Sequence, residues 1–396
     1  MLSKEILHNL SNSSWIRAMF EEGEKLRKIH GKDKVFDFTL GNPDPEPPKE
    51  VKDALKNIVL ESQPGMHGYM SNVGYADVRQ KIADKISGET GLSFTPDHII
   101  MTCGAAGGLN VILRAILNPG EEVLILAPFF AEYNFYVSNF SGKTVIIPPV
   151  KDTFDPDLEV LKNSITEKTK ALIINSPNNP SGHIYSEETL IKIFNVLKEK
   201  EKQFNTTIFV ISDEPYVKLV YDNEELPSIL KLYENSFVVN SFSKSLSLPG
   251  ERIGYIAVNP KMHDTNLVIS CLAFCNRTLG FVNAPALFQK VIGAALDASV
   301  DIDIYRERRD TLYNKLTSLG FSCTKPKGAF YLFPKAPIED DVAFIQSAVK
   351  YNLLLVPGRG FGAPGYFRIS YCVSIETIKN SFPAFEALAK DYNLIG

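Results

Sequence analysis

Cysteine is sparse in this chain, and the little there is does not organise into anything. Five cysteines among 396 residues (Cys103, Cys271, Cys275, Cys323 and Cys372) are scattered and odd in number, which excludes a disulfide framework. Cys271 and Cys275 stand four apart on an expected helix, but no histidine or second cysteine pair completes a tetrahedral ligand set. No metal site is expected there; two small apolar residues on one helix face is the plainer reading. Long apolar runs are missing too, since none approaches the roughly 18 residues of a membrane span. Positive charge is not in excess. Lys and Arg number 42 against 46 Asp and Glu, for a formal charge of −4, without the basic face that a nucleic-acid partner requires. There is no internal repeat and no low-complexity linker. The opening "MLSKEILHNLSNSSW" mixes charge and polarity into its apolar positions, unlike a secretory signal, and a cytoplasmic location is the default expectation.

What is present is a globular composition, 44% hydrophobic and 22% charged, in a chain long enough for more than one core. From about residue 98, short apolar runs alternate with helical patterns. "HIIMTC", "EEVLILAP", "KTVIIPPV", "KTKALIINSP", "TTIFVISDEPY", "SFVVNSFS" and "RIGYIAVN" read as strands. Continuous apolar strands separated by helices predict a mostly parallel sheet covered on both faces, an α/β fold. A second alternation from about 300, opening with the helix "IDIYRERRDTLYNKLTSLG", predicts a smaller α+β domain. Residues 1–45, with the helical stretch "SWIRAMFEEGEKLRKIHG", are expected to pack with it; 46–290 form the large domain and 291–396 the small one.

In such sheets, ligands bind beyond the carboxyl ends of the strands, so the polar residues there matter most. Four strand ends carry unusual chemistry. "TCGAAGGLN" leaves the backbone N–H groups of Gly104, Ala105 and Ala106 uncovered at a helix start, an arrangement suited to phosphate, although a tight strand-to-helix turn reads the same way. "NSPNNPSG" fixes Asn179 in a rigid turn, and "VISDEPY" ends an apolar strand on Asp213, Glu214 and Tyr216. "SFSKSLSLPGERIGY" sets Ser241, Ser243, Lys244 and Arg252 between two strands. A desolvated lysine is a potential nucleophile, and an arginine with a serine hydroxyl suits a phosphate.

The ordered series "TCGAAGG", "PFFAEY", "NNPSG", "SDEPY", "SFSKSLSLPGERIGY" and "FRISY" resembles the fold type I pyridoxal-phosphate enzymes, and more narrowly the class I/II aminotransferases of the aspartate aminotransferase type, from about residue 40 to 370. The resemblance implies a large α/β/α domain with a smaller α+β domain, pyridoxal 5'-phosphate as cofactor, and small amino acid and 2-oxo acid substrates. Lys244 matches the Schiff-base lysine that also shuttles the proton. Asp213 matches the acid that pairs with the pyridine nitrogen, and Asn179 and Tyr216 the donors to the ring hydroxyl. Gly104, Ala105, Ala106, Ser241 and Arg252 match the phosphate ligands, and Phe130 the ring stacked on the pyridine. Arg368 matches the arginine that takes the substrate α-carboxylate, with Gly41 and Asn179 beside it. Tyr69 matches a tyrosine that reaches the phosphate from the other subunit, which implies a homodimer with shared active sites. One position departs from the pattern: "NRTLGFVNAP" replaces a Ser/Thr-rich loop, and Arg277 within it reads either as a side-chain carboxylate ligand or as a surface arginine, so the amino donor stays open. The same scaffold also hosts C–S β-lyases and ligand-sensing regulators, but the 40 residues before "LGNPD" hold neither a helix-turn-helix pair nor a basic concentration.

Overall fold

The computed structural model describes residues 2–12, 15–61 and 64–395. Ser14, the first residue of the expected N-terminal helical stretch, lies outside them; the helix runs Trp15–His30. A short strand β1 (Phe36–Asp37) follows. The central sheet then takes β2 (Ile99–Thr102), β3 (Glu122–Leu126), β4 (Lys143–Ile147), β5 (Thr169–Asn175), β6 (Phe209–Asp213), β7 (Ser236–Ser241) and β8 (Gly254–Val258), in the order β2-β8-β7-β6-β5-β3-β4. Strands β3 to β7 run parallel to one another, whereas β8 runs antiparallel to both β7 and β2.

The apolar runs are continuous because the sheet is buried on both faces. Along β3, Val123 and Ile125 join one core with Leu109 and Ile112, while Leu124 and Leu126 join the other with Ile193 and Leu197. Strand β5 repeats this with Ala171 and Ile173 against Leu172 and Ile174. This is the period of two expected for a covered parallel sheet. Each such side chain is buried, a stabilisation of roughly 1.5–3 kcal/mol apiece for the Val, Leu and Ile side chains. The covering helices begin where the sequence signals them. Helix Glu187–Phe204 is capped by Ser186, whose hydroxyl accepts from the Thr189 N–H at 3.0 Å, and it carries Glu187 and Glu188 in its first turn.

The C-terminal region supplies β9 (Tyr331–Leu332), β10 (Leu353–Leu354), β11 (Val356–Pro357) and β12 (Phe367–Ser370). Strand β12 is paired antiparallel with β11 and β9, which sets Arg368 opposite Val356 and Ser370 opposite Tyr331. Strand β1 pairs in parallel with β10, so the N-terminal segment packs on this region, and the Ser370 N–H donates to the Phe38 carbonyl at 2.9 Å. That stitch brings residues 39–41 alongside Arg368. No helix among the described residues is long and apolar enough to cross a membrane.

Candidate active site

The carboxyl ends of β5, β6 and β7 terminate on Asn175, Asp213 and Ser241. These three open onto one cavity of about 360 Å³. Its walls hold twelve of the residues singled out from sequence: Gly41, Ala105, Ala106, Phe130, Asn179, Asp213, Tyr216, Ser241, Ser243, Lys244, Arg252 and Arg368. Gly104 sits just behind, with φ at +71°, and a Cβ built on it would lie 2.7 Å from Arg252 Nη2. Only glycine therefore lets the backbone come this close to the guanidinium. Tyr69 lies outside the cavity, 95% exposed. Arg277 is also outside, exposed and against the Phe274 ring.

The side near Gly104 is built for an anion. Helix Gly104–Ile116 opens there with its first N–H groups free of intrahelical partners and its positive dipole end inward. The Ser241 hydroxyl accepts from the Ser243 N–H at 3.1 Å and pairs with the Ser243 hydroxyl at 2.6 Å. Among the described residues Arg252 donates only to backbone, to Pro249 O at 2.8 Å and Cys103 O at 3.5 Å, so its charge has no carboxylate partner there.

Asp213 is buried at the end of β6. Its Oδ2 accepts from the Tyr133 hydroxyl at 2.5 Å, while Oδ1 has no partner. Burial pushes its carboxyl up to about 6, with the Tyr133 bond pulling the other way. A buried acid oxygen without a donor is costly, so Asp213 is shaped to meet a donor that enters the cavity. Asn175 braces the same corner. It donates to the Asp213 carbonyl at 2.8 Å and accepts the Asn179 N–H at 2.7 Å.

Lys244 Nζ donates to the Gly41 carbonyl at 2.6 Å and lies over the Phe330 ring. Burial brings its pKa down to about 8; Cys372 opposes that shift, and the nearby Arg252 and Arg368 charges assist it. A substantial neutral fraction is therefore present in mildly alkaline water, the state a nucleophilic amine needs.

Arg368 is 2% exposed, with its guanidinium carbon 4.7 Å from the ring centres of both Tyr331 and Phe361. It donates to Asn179 Oδ1 at 3.0 Å and Thr39 O at 2.5 Å, while Nε has no partner. Tyr216 meets Tyr331 hydroxyl to hydroxyl at 3.0 Å. Tyr331, Tyr133, Asn175, Thr39 and Glu132 were not singled out from sequence. Tyr133 closes the quoted "PFFAEY", and a buried tyrosine needs a partner for its hydroxyl, so a signal for it existed.

Comparison with known proteins bears on this geometry. The family model for aminotransferase class I and II matches residues 33–384. A probable aspartate aminotransferase of Methanocaldococcus jannaschii is 34% identical over 350 residues, covering 86% of this chain and 90% of that one. The aspartate/prephenate aminotransferase of Thermus thermophilus is 33% identical over 359 residues, covering 88% and 89%. Among solved structures, an amino transferase from Eubacterium rectale superimposes with a TM-score of 0.95 at 42% identity, over 99% of this chain and 100% of that one. The Thermus thermophilus aspartate aminotransferase solved with maleate gives 0.86 at 30% identity, over 98% and 99%. By sequence and by fold alike, the chain belongs to the class I and II aminotransferases, enzymes of fold type I.

Proposed function

We propose that the chain is an amino acid:2-oxo acid aminotransferase that holds pyridoxal 5'-phosphate in this cavity and works in a ping-pong cycle. The observation that carries the reading is the buried, partnerless Oδ1 of Asp213 in the same cavity as the enclosed Lys244. When bound, the cofactor supplies an electrophilic carbon for amines and a ring that takes up electron density from the donor's Cα.

The chain's own groups do the rest. The N–H groups of Gly104, Ala105 and Ala106, with Ser241 and Arg252, bind the phosphate, and Phe130 flanks the ring. Asp213 Oδ1, free of a partner among the described residues, would accept from the ring nitrogen and keep its proton there, while Asn179 and Tyr216 would orient the ring hydroxyl. Arg368 takes the donor α-carboxylate, with Gly41 and Asn179 alongside, and so fixes which bond at Cα is held for cleavage. Lys244 Nζ, with its pKa lowered to about 8 by burial, would serve as the base that takes the donor's Cα proton and holds it for return. The exposed Tyr69 serves the phosphate of a neighbouring copy, in a cytoplasmic homodimer with shared active sites. Residues 46–290 form the large cofactor domain and 291–396 the small one, with 1–45 packed on the latter.

An absorption spectrum of the purified protein tests the reading. The wild type is expected to carry a visible cofactor band that a true donor discharges and a 2-oxo acid restores. Lys244→Ala should lose that covalent band and the turnover. A wild type that takes up no cofactor, or a Lys244→Ala variant indistinguishable from it, would sink the assignment.

A further inference from the structure

Glu132 stands in the wall of the cavity together with Leu40, Leu109, Phe130 and Tyr136. It occupies the N-cap position of helix Tyr133–Ser138, yet its side chain makes no capping bond. Among the described residues its carboxylate has neither a hydrogen bond nor an ion pair, and burial alone raises its pKa. A carboxylate half withdrawn from water with nothing to hold is unfavourable, unless the group that completes it arrives with a ligand.

The cations of the same wall have other work. Lys244 is given to the cofactor, Arg252 to the phosphate side and Arg368 to the α-carboxylate, and these are the only lysine and arginines lining the cavity among the described residues. Among the groups this chain itself contributes, a donor bearing a second carboxylate would thus meet Glu132 instead of a free positive charge. The surrounding Leu40, Leu109 and Phe130 suit an aliphatic stem.

We propose that Glu132 determines donor specificity: the enzyme prefers amino acids whose side chain is an apolar stem ending in an ammonium or other N–H donor, and disfavours dicarboxylic ones. The inference rests on the reading of Arg368 given above. It also separates this chain from the Thermus thermophilus relative, which was solved with maleate, a dicarboxylate.

Two acids of equal length that lack an α-amino group, 5-aminopentanoate and glutarate, test it by calorimetric titration of the cofactor-loaded enzyme, with the visible band monitored to show that the ω-amine does not react with the cofactor. The wild type should bind 5-aminopentanoate at least about tenfold more tightly. Glu132→Gln should shrink that ratio about tenfold, and Glu132→Lys should reverse it. Equal or tighter binding of glutarate by the wild type, binding of neither acid, or a ratio untouched by Glu132→Gln would overturn the proposal. The wild-type ratio stands as a test even if a variant fails to fold. Loading is read separately from the visible band, so failure to take up cofactor and lack of the side-chain preference are distinct results.

Discussion

Arg252 and Arg368 face the same cavity from opposite circumstances. Arg252 is exposed, held by backbone carbonyls at 2.8 and 3.5 Å, and free to be hydrated. Arg368 is sealed between two aromatic rings, with its fork aimed by Asn179 and the Thr39 carbonyl. Burial even lowers the Arg368 pKa, because desolvation outweighs the help of Tyr331 and Tyr216. On the proposed function, the contrast teaches how one chain would handle two anions differently, a cofactor phosphate and a substrate carboxylate. A permanently held phosphate can share its charge with helix N–H groups and water. A substrate that comes and goes needs a rigid, dry fork whose orientation is settled in advance.

The largest break in this comparison should come at the sealed end. Arg368→Lys removes the bidentate fork and leaves a strongly hydrated point charge between two rings. We expect kcat/KM for any amino donor to fall on the order of 10²- to 10³-fold, matching roughly 3–5 kcal/mol for a broken buried pair. Cofactor uptake, followed by absorbance titration, should stay within about threefold of wild type, given that a single surface hydrogen bond is worth roughly 1 kcal/mol. A variant that loses both equally would deny the division of labour.

Asp213 poses the same question for negative charge. Burial holds its native carboxyl at about 6, above the usual range of about 3.9, so the folded state keeps the extra proton. The stability this provides is complete below about pH 4 and is lost as pH rises through 6. With a shift of some two units, the loss is on the order of 3 kcal/mol in cofactor-free protein. Denaturant unfolding of Asp213→Asn should therefore show a stability gain over wild type at pH 7 that vanishes near pH 4. No difference in pH dependence between the two proteins would refute the burial argument.

The open end should respond less. Arg252→Ala is expected to weaken cofactor binding about 10- to 100-fold, the worth of one charged hydrogen-bonding group, or roughly 1.5–3 kcal/mol. Turnover at saturating cofactor should change little, and raised salt should mimic part of the defect in wild type. The smallest effect belongs to Tyr133→Phe. Removing the one donor to Asp213 should move its midpoint upward from about 6, as followed by carboxyl NMR in cofactor-free protein.

The sequence carried the sheet because its inner strands β3 and β5 to β8 centre on apolar runs bounded by turn residues, and burial on both faces leaves such strands little ambiguity; the edge strand β4, with Lys143 and Ile146 exposed, was legible from its apolar residues and its place in the alternation. Lys244, Asp213 and Asn179 were legible because polar side chains that close apolar strands have few other reasons to be there. Their partners were not. Tyr331 lies 115 residues from the Tyr216 hydroxyl it meets, and Thr39 lies 329 residues from Arg368. Nothing local marks either as belonging to a site, since tertiary pairing alone selects them. Glu132 stayed hidden for another reason: in "PFFAEY" it reads as an ordinary solvated acid at a helix start, and only the folded wall leaves it without a partner.

The reversed strand β8 has a further consequence. Its first residue, Gly254, pairs with Ser241 on one side and Thr102 on the other, so three chain segments meet at a single register position. A Cβ there would run into the Asn240 carbonyl and the Gly104 backbone. The spacing between the Gly104 turn and Ser241 is thereby set by the ladder itself, and a slip of one residue would turn every side chain of β8 to the wrong layer. The spacing of the proposed anion cradle is thus stored in the sheet. On the proposed function, a phosphate-bearing cofactor would have little to reorganise on arrival there, and its departure would leave the mould standing.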